Sequence, residues 1–143
     1  NLKLDLFLEY NNLTSLPESF SRLENVRCIN LNHNELTKLP DNFGNLKVEN
    51  LKLENNKLES LPENFGDLPV LDIFLDGNKL TSLPESFSKL NVNGSISLSQ
   101  NKLTIKRKHL LILRRLFRRL LIALIGLPVT QCFSACSMKM VRH

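Results

Sequence analysis

The residues best suited to catalysis or metal binding are scattered along this 143-residue chain: His33, His109 and His143, and Cys28, Cys132 and Cys136. Nucleophilic and general acid–base catalysis need a nucleophile, a base and an orienting group within hydrogen-bonding reach. No motif places such a set together, and no phosphate-binding loop is visible. The two late cysteines, four positions apart, lack the partner ligands and usual spacing of a zinc site. We therefore expect no enzyme, no cofactor and no metal site in this chain.

Charge divides the chain into two unequal parts. All 14 acidic residues and 10 of the 19 basic ones lie in 1–105, which gives that segment a net charge of 10 − 14 = −4. Residues 106–143 hold the other nine basic residues and no acid, for a net charge of +9. So abrupt a change marks a boundary. We predict a domain over 1–105 and a basic, apolar tail over 106–143, and no nucleic-acid partner for the domain.

An internal repeat predicts the secondary-structure elements that would position any functional group. Asparagine returns at spacings of 23, 22, 22 and 23, at the following positions: Asn11, Asn34, Asn56, Asn78 and Asn101. The apolar residues around each Asn also return. The third copy shows the set: Leu51, Leu53, Leu58, Leu61 followed by Pro62, Phe65 and Leu68. Such self-similarity is typical of stacked-repeat proteins.

Leu or Ile at alternate positions before each Asn predicts a short strand with one face inward. One repeat cannot bury that face alone, whereas stacked repeats can. The Asn amide would satisfy backbone groups in the turn and in the next repeat. Leu-Pro would open a helical or irregular return segment, and the Phe would close the core from the convex side. We predict an α/β solenoid of five 22–23-residue repeats with parallel strands on its concave face.

The pattern L-x-x-L-x-L-x-x-N-x-L resembles the leucine-rich repeat over about residues 2–105. The Leu-Pro-x-x-Phe ending is similar to that of an intracellular class, which includes Scribble-type scaffolds, Ras-suppressor and Ras-binding proteins and plant Ras-group relatives. The resemblance implies protein binding through the concave face, in signal transduction or as a scaffold, with a small GTPase as one candidate partner. Those families usually have many more repeats than the five seen here.

The concave face should display the residues that alternate with the buried Leu and Ile. Its predicted partner-binding residues are Asp5, Phe7, Glu9, Tyr10, Asn30, Asn32, Lys52, Glu54, Asp72, Phe74 and Asp76. Aromatic groups bordered by charge are common at interfaces, and the excess of acids favours a basic partner segment. The fifth repeat offers serines, so we place the contact on repeats one to four. The alternative is an ordinary solvated face with no partner.

The tail is predicted to be helical over about 107–125. Arg114, Arg115, Arg118 and Arg119 fall, with two further basic residues, within one arc of about 140° on that helix, opposite Leu and Phe. A membrane-surface or partner-binding helix fits this pattern, as does a cap on the open end of the solenoid. A third explanation is that 106–143 is not native coding sequence. Ten apolar residues from Leu120 are too few to cross a bilayer.

The cysteine pattern lacks the disulfide-rich cap of extracellular repeat proteins, which favours a reducing compartment. We therefore expect a cytoplasmic, monomeric interaction module, with peripheral membrane contact through the tail as an alternative. The chain begins with Asn in the middle of the pattern. We accordingly expect a fragment, which leaves a larger receptor, kinase or immune sensor as another alternative.

Overall fold

The computed structural model describes residues 2–104, and in that range the repeats form one parallel sheet. Each repeat supplies one short strand, and the strands lie side by side in the order in which they follow along the chain. They are β1 (Leu4–Phe7), β2 (Val26–Asn30), β3 (Asn50–Lys52), β4 (Asp72–Phe74) and β5 (Ile96–Ser97). The predicted solenoid of stacked repeats is confirmed.

Equivalent positions of successive repeats lie opposite one another. Leu6 pairs with Ile29, Ile29 with Leu51, and Leu51 with Ile73. Because successive side chains of a strand point to opposite faces, this register brings all the inward Leu and Ile into one continuous core. Its members are fully buried in the middle repeats and only partly buried at the ends, as at Leu8.

The return segments contain short 3₁₀ helices, which are Glu18–Arg22, Phe43–Asn45, Phe65–Asp67 and Glu85–Lys89. In each of these repeats the Pro carbonyl accepts the N–H of the Phe three residues later, at 2.9–3.0 Å. The Pro residue lacks an N–H but keeps its carbonyl, so it starts the turn that carries the Phe inward. Phe20, Phe43, Phe65 and Phe87 then stack nearly parallel, with ring centroids 6.0–6.3 Å apart.

Glycine follows Phe in the two middle repeats because the next repeat lies very close. A Cβ atom at Gly66 would stand 1.7 Å from the carbonyl oxygen of Ser86, and one at Gly44 would stand 2.0 Å from that of Asn64. No side chain fits at such distances. The corresponding residues in the first and fourth repeats are Ser21 and Ser88, where the 3₁₀ helices are five residues long.

The repeating Asn residues join each repeat to the one before it. The side-chain amide of Asn56 donates to the carbonyl oxygens of Leu31 (2.9 Å) and Leu53 (3.2 Å), and its Oδ1 accepts the N–H of Leu36 at 3.1 Å. Equivalent bonds are made by Asn34, Asn78 and Asn101. The expectation that the amide reaches the next repeat was wrong, because these bonds run to the preceding repeat.

The tail, 106–143, lies outside the described residues, and so do the predicted helix over 107–125 and Arg114, Arg115, Arg118 and Arg119. The domain boundary near residue 105 therefore stays a prediction. Among residues 2–104, no helix is long and apolar enough to span a membrane.

Candidate functional site

The sheet face is the surface formed by the outward side chains of the five strands and of the residues that directly follow them. Pairing across the sheet places Phe7 beside Asn30, Asn30 beside Lys52, and Lys52 beside Phe74. All eleven residues predicted to bind a partner are exposed or half-buried on this face. Ser97, which continues the central row into the fifth repeat, is buried. The accessible part of the central row therefore belongs to repeats one to four.

One edge of the sheet face, the rim, is built from the residues that immediately precede each repeating Asn. These residues all have a positive φ of 54–67°, and they are Tyr10, His33, Asn55, Gly77 and Gln100. The left-handed conformation costs a non-glycine residue on the order of 1–2 kcal/mol, and Asn and Gly tolerate it best. The strained backbone turns the chain sharply at this point and places the rim side chains next to one another.

The first rim residues form a stack. The rings of Tyr10 and His33 lie 4.4 Å apart between centroids, with 6° between their planes. The amide nitrogen of Asn55 lies 3.4 Å from Nε2 of His33, and a Cβ at Gly77 would stand 2.4 Å from Oδ1 of Asn55. Sequence reasoning predicted that Tyr10 is exposed but missed this ordered row. The return of Asn and Gly in one column was the available signal for its left-handed backbone.

Four of the five acids on the sheet face have partners within the solenoid. Asp5 forms a two-pronged ion pair with Arg27, in which Nε donates to Oδ1 at 3.0 Å. Glu54 accepts a hydrogen bond from the Asn32 amide at 2.5 Å, and Oδ1 of Asp72 accepts the N–H of Ser95 at 2.7 Å.

Asp76 is tied most firmly to the next repeat. Its Oδ1 accepts both the Ser97 hydroxyl at 2.5 Å and the N–H of Ser99 at 3.0 Å. Together, Asp72 and Asp76 therefore hold the fifth repeat against the fourth. Both residues were predicted as partner contacts, and the structure gives them this additional role in the fold.

Glu9 is the exception among these acids. Its Oε2 is buried and has no hydrogen-bond partner within residues 2–104. The neighbouring amide of Asn32 is directed to the third repeat: its nitrogen donates to Glu54 and its oxygen accepts the Glu54 N–H. A buried polar atom without a partner is rare in folded proteins. Glu9 therefore has bonding capacity that the solenoid itself does not fill.

The apolar groups open to solvent lie near Glu9. Phe7 is 64% exposed and Tyr10 is 71% exposed, whereas Phe74, three strands away, is half-buried. Phe7 and Tyr10 belong to the first repeat, whose strand β1 forms one edge of the sheet and also exposes Leu4. The first strand and its turn therefore contain the most accessible apolar surface of the sheet face.

Two titratable groups on this face have shifted pKa values. A hydrogen bond from Arg27 lowers the pKa of Asp5, and the charge of Arg27 adds to this effect. Partial burial raises the pKa of the Cys28 thiol, while the nearby cation of Lys52 opposes that increase. In the described part of the chain, no group of His, Cys, Asp and Glu residues is arranged to hold a metal ion.

Comparison with known proteins agrees with this geometry. Residues 25–46 and 47–68 each match the family model for the leucine-rich repeat. The fold is that of a leucine-rich-repeat solenoid. A solved leucine-rich-repeat protein of Leptospira interrogans is 36% identical, with a TM-score of 0.62 over 75% of this chain. The match covers 28% of that protein, so this chain spans less than a third of its length. No curated protein matched the chain.

This fold has a direct bearing on function. Leucine-rich repeats are solenoid modules that generally present an extended surface to another protein. The match is therefore to a kind of module that generally mediates protein–protein interaction.

Proposed function

We propose that this leucine-rich-repeat chain binds a partner protein on its sheet face, through repeats one to four. The observation that carries the proposal is the exposure of Phe7 and Tyr10 on a rigid ladder of strands. Rigid aromatic groups lose little side-chain entropy on binding and are common at the centres of interfaces. The fifth repeat adds little, because Ser97 is buried and binds Asp76.

The proposed partner contacts the sheet face with a basic segment. The net charge of −4 on residues 1–105 would attract such a segment and speed its association. The Leu-Pro-x-x-Phe resemblance supports a role in intracellular signalling or scaffolding by a cytoplasmic monomer, and it makes a small GTPase one partner to test. A place within a larger receptor, kinase or immune sensor is compatible with the same face.

The test compares partner capture by three forms of the full chain. The face variant carries Phe7→Ala and Phe74→Ala. The control variant carries Lys38→Ala and Glu63→Ala, two exposed residues away from the strands. We expect proteins captured by the wild type to be lost with the face variant and kept with the control. Equal capture by all three forms would refute binding through this face. Asp72 and Asp76 are left unchanged, because reversing their charge would loosen the fifth repeat.

We propose a second, separable activity for the tail, namely contact with an anionic membrane surface. It rests on the charge of +9 without any acid in 106–143. Basic amphipathic segments bind anionic lipid through charge and apolar burial. Deleting 106–143 should abolish co-sedimentation with phosphatidylserine vesicles. If the shortened chain sediments as well as the full chain does, the tail has no membrane role.

A further inference from the structure

One carboxylate oxygen on the sheet face is buried and has no hydrogen-bond partner among residues 2–104. Asp5, Glu54, Asp72 and Asp76 all accept hydrogen bonds from neighbouring repeats, whereas Oε2 of Glu9 is buried and accepts none within residues 2–104. Position within the repeat does not explain this difference, because Glu9 and Glu54 occupy the same position of their repeats. Glu9 is thus the acid on this face whose Oε2 lacks a donor among the described residues. An external donor would reach this oxygen and supply the missing bond once the half-buried side chain turns outward.

The surroundings of Glu9 add two aromatic groups. The backbone N–H groups of Leu8 and Tyr10 donate to the carbonyl oxygens of Asn30 and Asn32, so the extended pairing continues past β1. Phe7 and Glu9 are two residues apart and therefore lie on the same side of it. Tyr10 follows at the rim. The Glu9 carboxylate therefore lies between two exposed aromatic residues in the sequence, Phe7 and Tyr10.

The Tyr10 ring is held in place from one side. His33 stacks on it at 4.4 Å, yet Tyr10 remains 71% exposed. One ring face is therefore covered and the other is open to a planar group. A ring fixed in this way needs no further ordering before a ligand stacks on it, which favours binding.

We propose that Glu9, Phe7 and Tyr10 form a receptor site for an arginine side chain of the bound protein. A guanidinium group offers several N–H donors in one plane, so it can bind the carboxylate and also lie against an aromatic face. A lysine could provide the charge but not the planar contact. The site would be one contact point of the partner protein on the sheet face, so it rests on the proposed function.

The site can be tested without knowing the partner. The probe is an N-acetylated, C-amidated Gly-Arg-Gly peptide, titrated at millimolar concentration into the isotope-labelled full chain and followed by NMR. We expect saturable shifts of the backbone amides of Glu9, Tyr10 and His33. The matched peptide with citrulline, which is neutral and nearly the same shape, should cause no saturable shift.

Variants separate a specific site from general attraction to acids. Glu9→Gln should weaken binding of the arginine peptide by about tenfold or more, because the charge-assisted hydrogen bonds are lost. Phe7→Ala should weaken it by a smaller factor. Glu63→Gln is the control, since it makes the same change at an exposed acid away from the strands, and it should bind as the wild type does.

Three results would overturn the site: no saturable shift with the arginine peptide, equal shifts with the citrulline peptide, or equal weakening by Glu63→Gln and Glu9→Gln. The proposed function fails differently. It fails when the variant carrying Phe7→Ala and Phe74→Ala captures the same proteins as the wild type. A partner that is lost with this face variant but kept with Glu9→Gln would refute the arginine site and leave sheet-face binding intact.

Discussion

The side-chain amide of Asn78 donates a hydrogen bond of 2.8 Å to the carbonyl oxygen of Leu53, 25 positions earlier in the chain. It also donates to the carbonyl oxygen of Leu75 at 3.0 Å, and its Oδ1 accepts the N–H of Leu58 at 3.1 Å. One buried side chain thus satisfies backbone groups of two repeats.

We therefore expect Asn78→Ala to be strongly destabilising. It would leave buried carbonyl and N–H groups without partners, at a cost of about 2–4 kcal/mol in the free energy of unfolding. Urea denaturation followed by circular dichroism measures this. Asn11→Ala is the control: within residues 2–104 its amide bonds only to the carbonyl oxygen of Glu9, in an exposed position, so a change of less than about 0.5 kcal/mol is expected. Similar costs for both variants would contradict the proposed role of the Asn residues.

The stacked phenylalanines should dominate the apolar contribution to stability. Phe65 is fully buried and stacks on both Phe43 and Phe87. Truncating it to Ala should cost about 3–5 kcal/mol. Phe7→Ala removes the same ring from an exposed position and should change stability by less than about 0.5 kcal/mol. Thermal or urea unfolding of the two variants provides the comparison, and a small effect of Phe65→Ala would show that the rings contribute little.

Replacing Gly66 should disrupt the contact between the third and fourth repeats. The Cβ of an alanine would collide with the Ser86 carbonyl group, which cannot move without shifting the backbone. We expect Gly66→Ala to cost more than about 2 kcal/mol. Ser88→Ala, at the corresponding position of the fourth repeat, loses one hydrogen bond to the carbonyl oxygen of Glu85 and should cost about 1 kcal/mol or less. Unfolding midpoints of both variants decide the matter. An unaffected Gly66→Ala protein would mean that the repeats are packed less closely than described.

The Cys28 thiol should be alkylated slowly because its pKa is raised, and the pH dependence of the rate tests this. Burial raises the pKa of Cys28, so less thiolate is present near neutral pH and alkylation is slower than in the urea-unfolded chain. The pH profile of the native rate should therefore lie at higher pH. Peptide-resolved mass spectrometry after iodoacetamide treatment isolates Cys28 from Cys132 and Cys136.

Lys52→Gln tests the electrostatic part of that result. The cation of Lys52 lowers the pKa of Cys28, so its removal should raise the pKa further and slow alkylation. Lys57→Gln is the control, because Lys57 pairs with Glu35 and does not perturb this thiol. Faster alkylation in Lys52→Gln would reverse the assigned sign.

The core of this fold could be predicted because the spacing of the residues along the chain is enough to show which positions are buried. A Leu that returns every 22 or 23 positions must occupy the same place in every repeat, as Leu53 and Leu75 do. Once the repeats stack, those positions have no access to solvent. The strands, the Phe row and the outward columns followed from the same periodicity.

The bonding of the sheet face could not be predicted from spacing. Asp76 and Glu9 occupy the same position of their repeats. The Asp76 carboxylate accepts hydrogen bonds from Ser97 and Ser99, whereas Oε2 of Glu9 accepts none from the described residues. That difference depends on which short side chain stands on the next strand and which rotamer it adopts. The Tyr10–His33 stack likewise depends on a left-handed backbone, which apolar periodicity does not indicate.

The backward reach of the Asn side chains makes the two ends of the solenoid unequal. Without its first repeat, Asn34 would lose the Leu8 carbonyl but keep its bond to Leu31, and its freed oxygen would face water. Without the fifth repeat, the Leu75 carbonyl and the Leu80 N–H would lose Asn101, next to buried leucines. The array thus has a mechanical polarity. A pull on its C-terminal end detaches the repeat whose Asn bonds its neighbour's backbone, whereas a pull on its N-terminal end removes a repeat whose neighbour keeps the Asn bonds to Leu31 and Leu36.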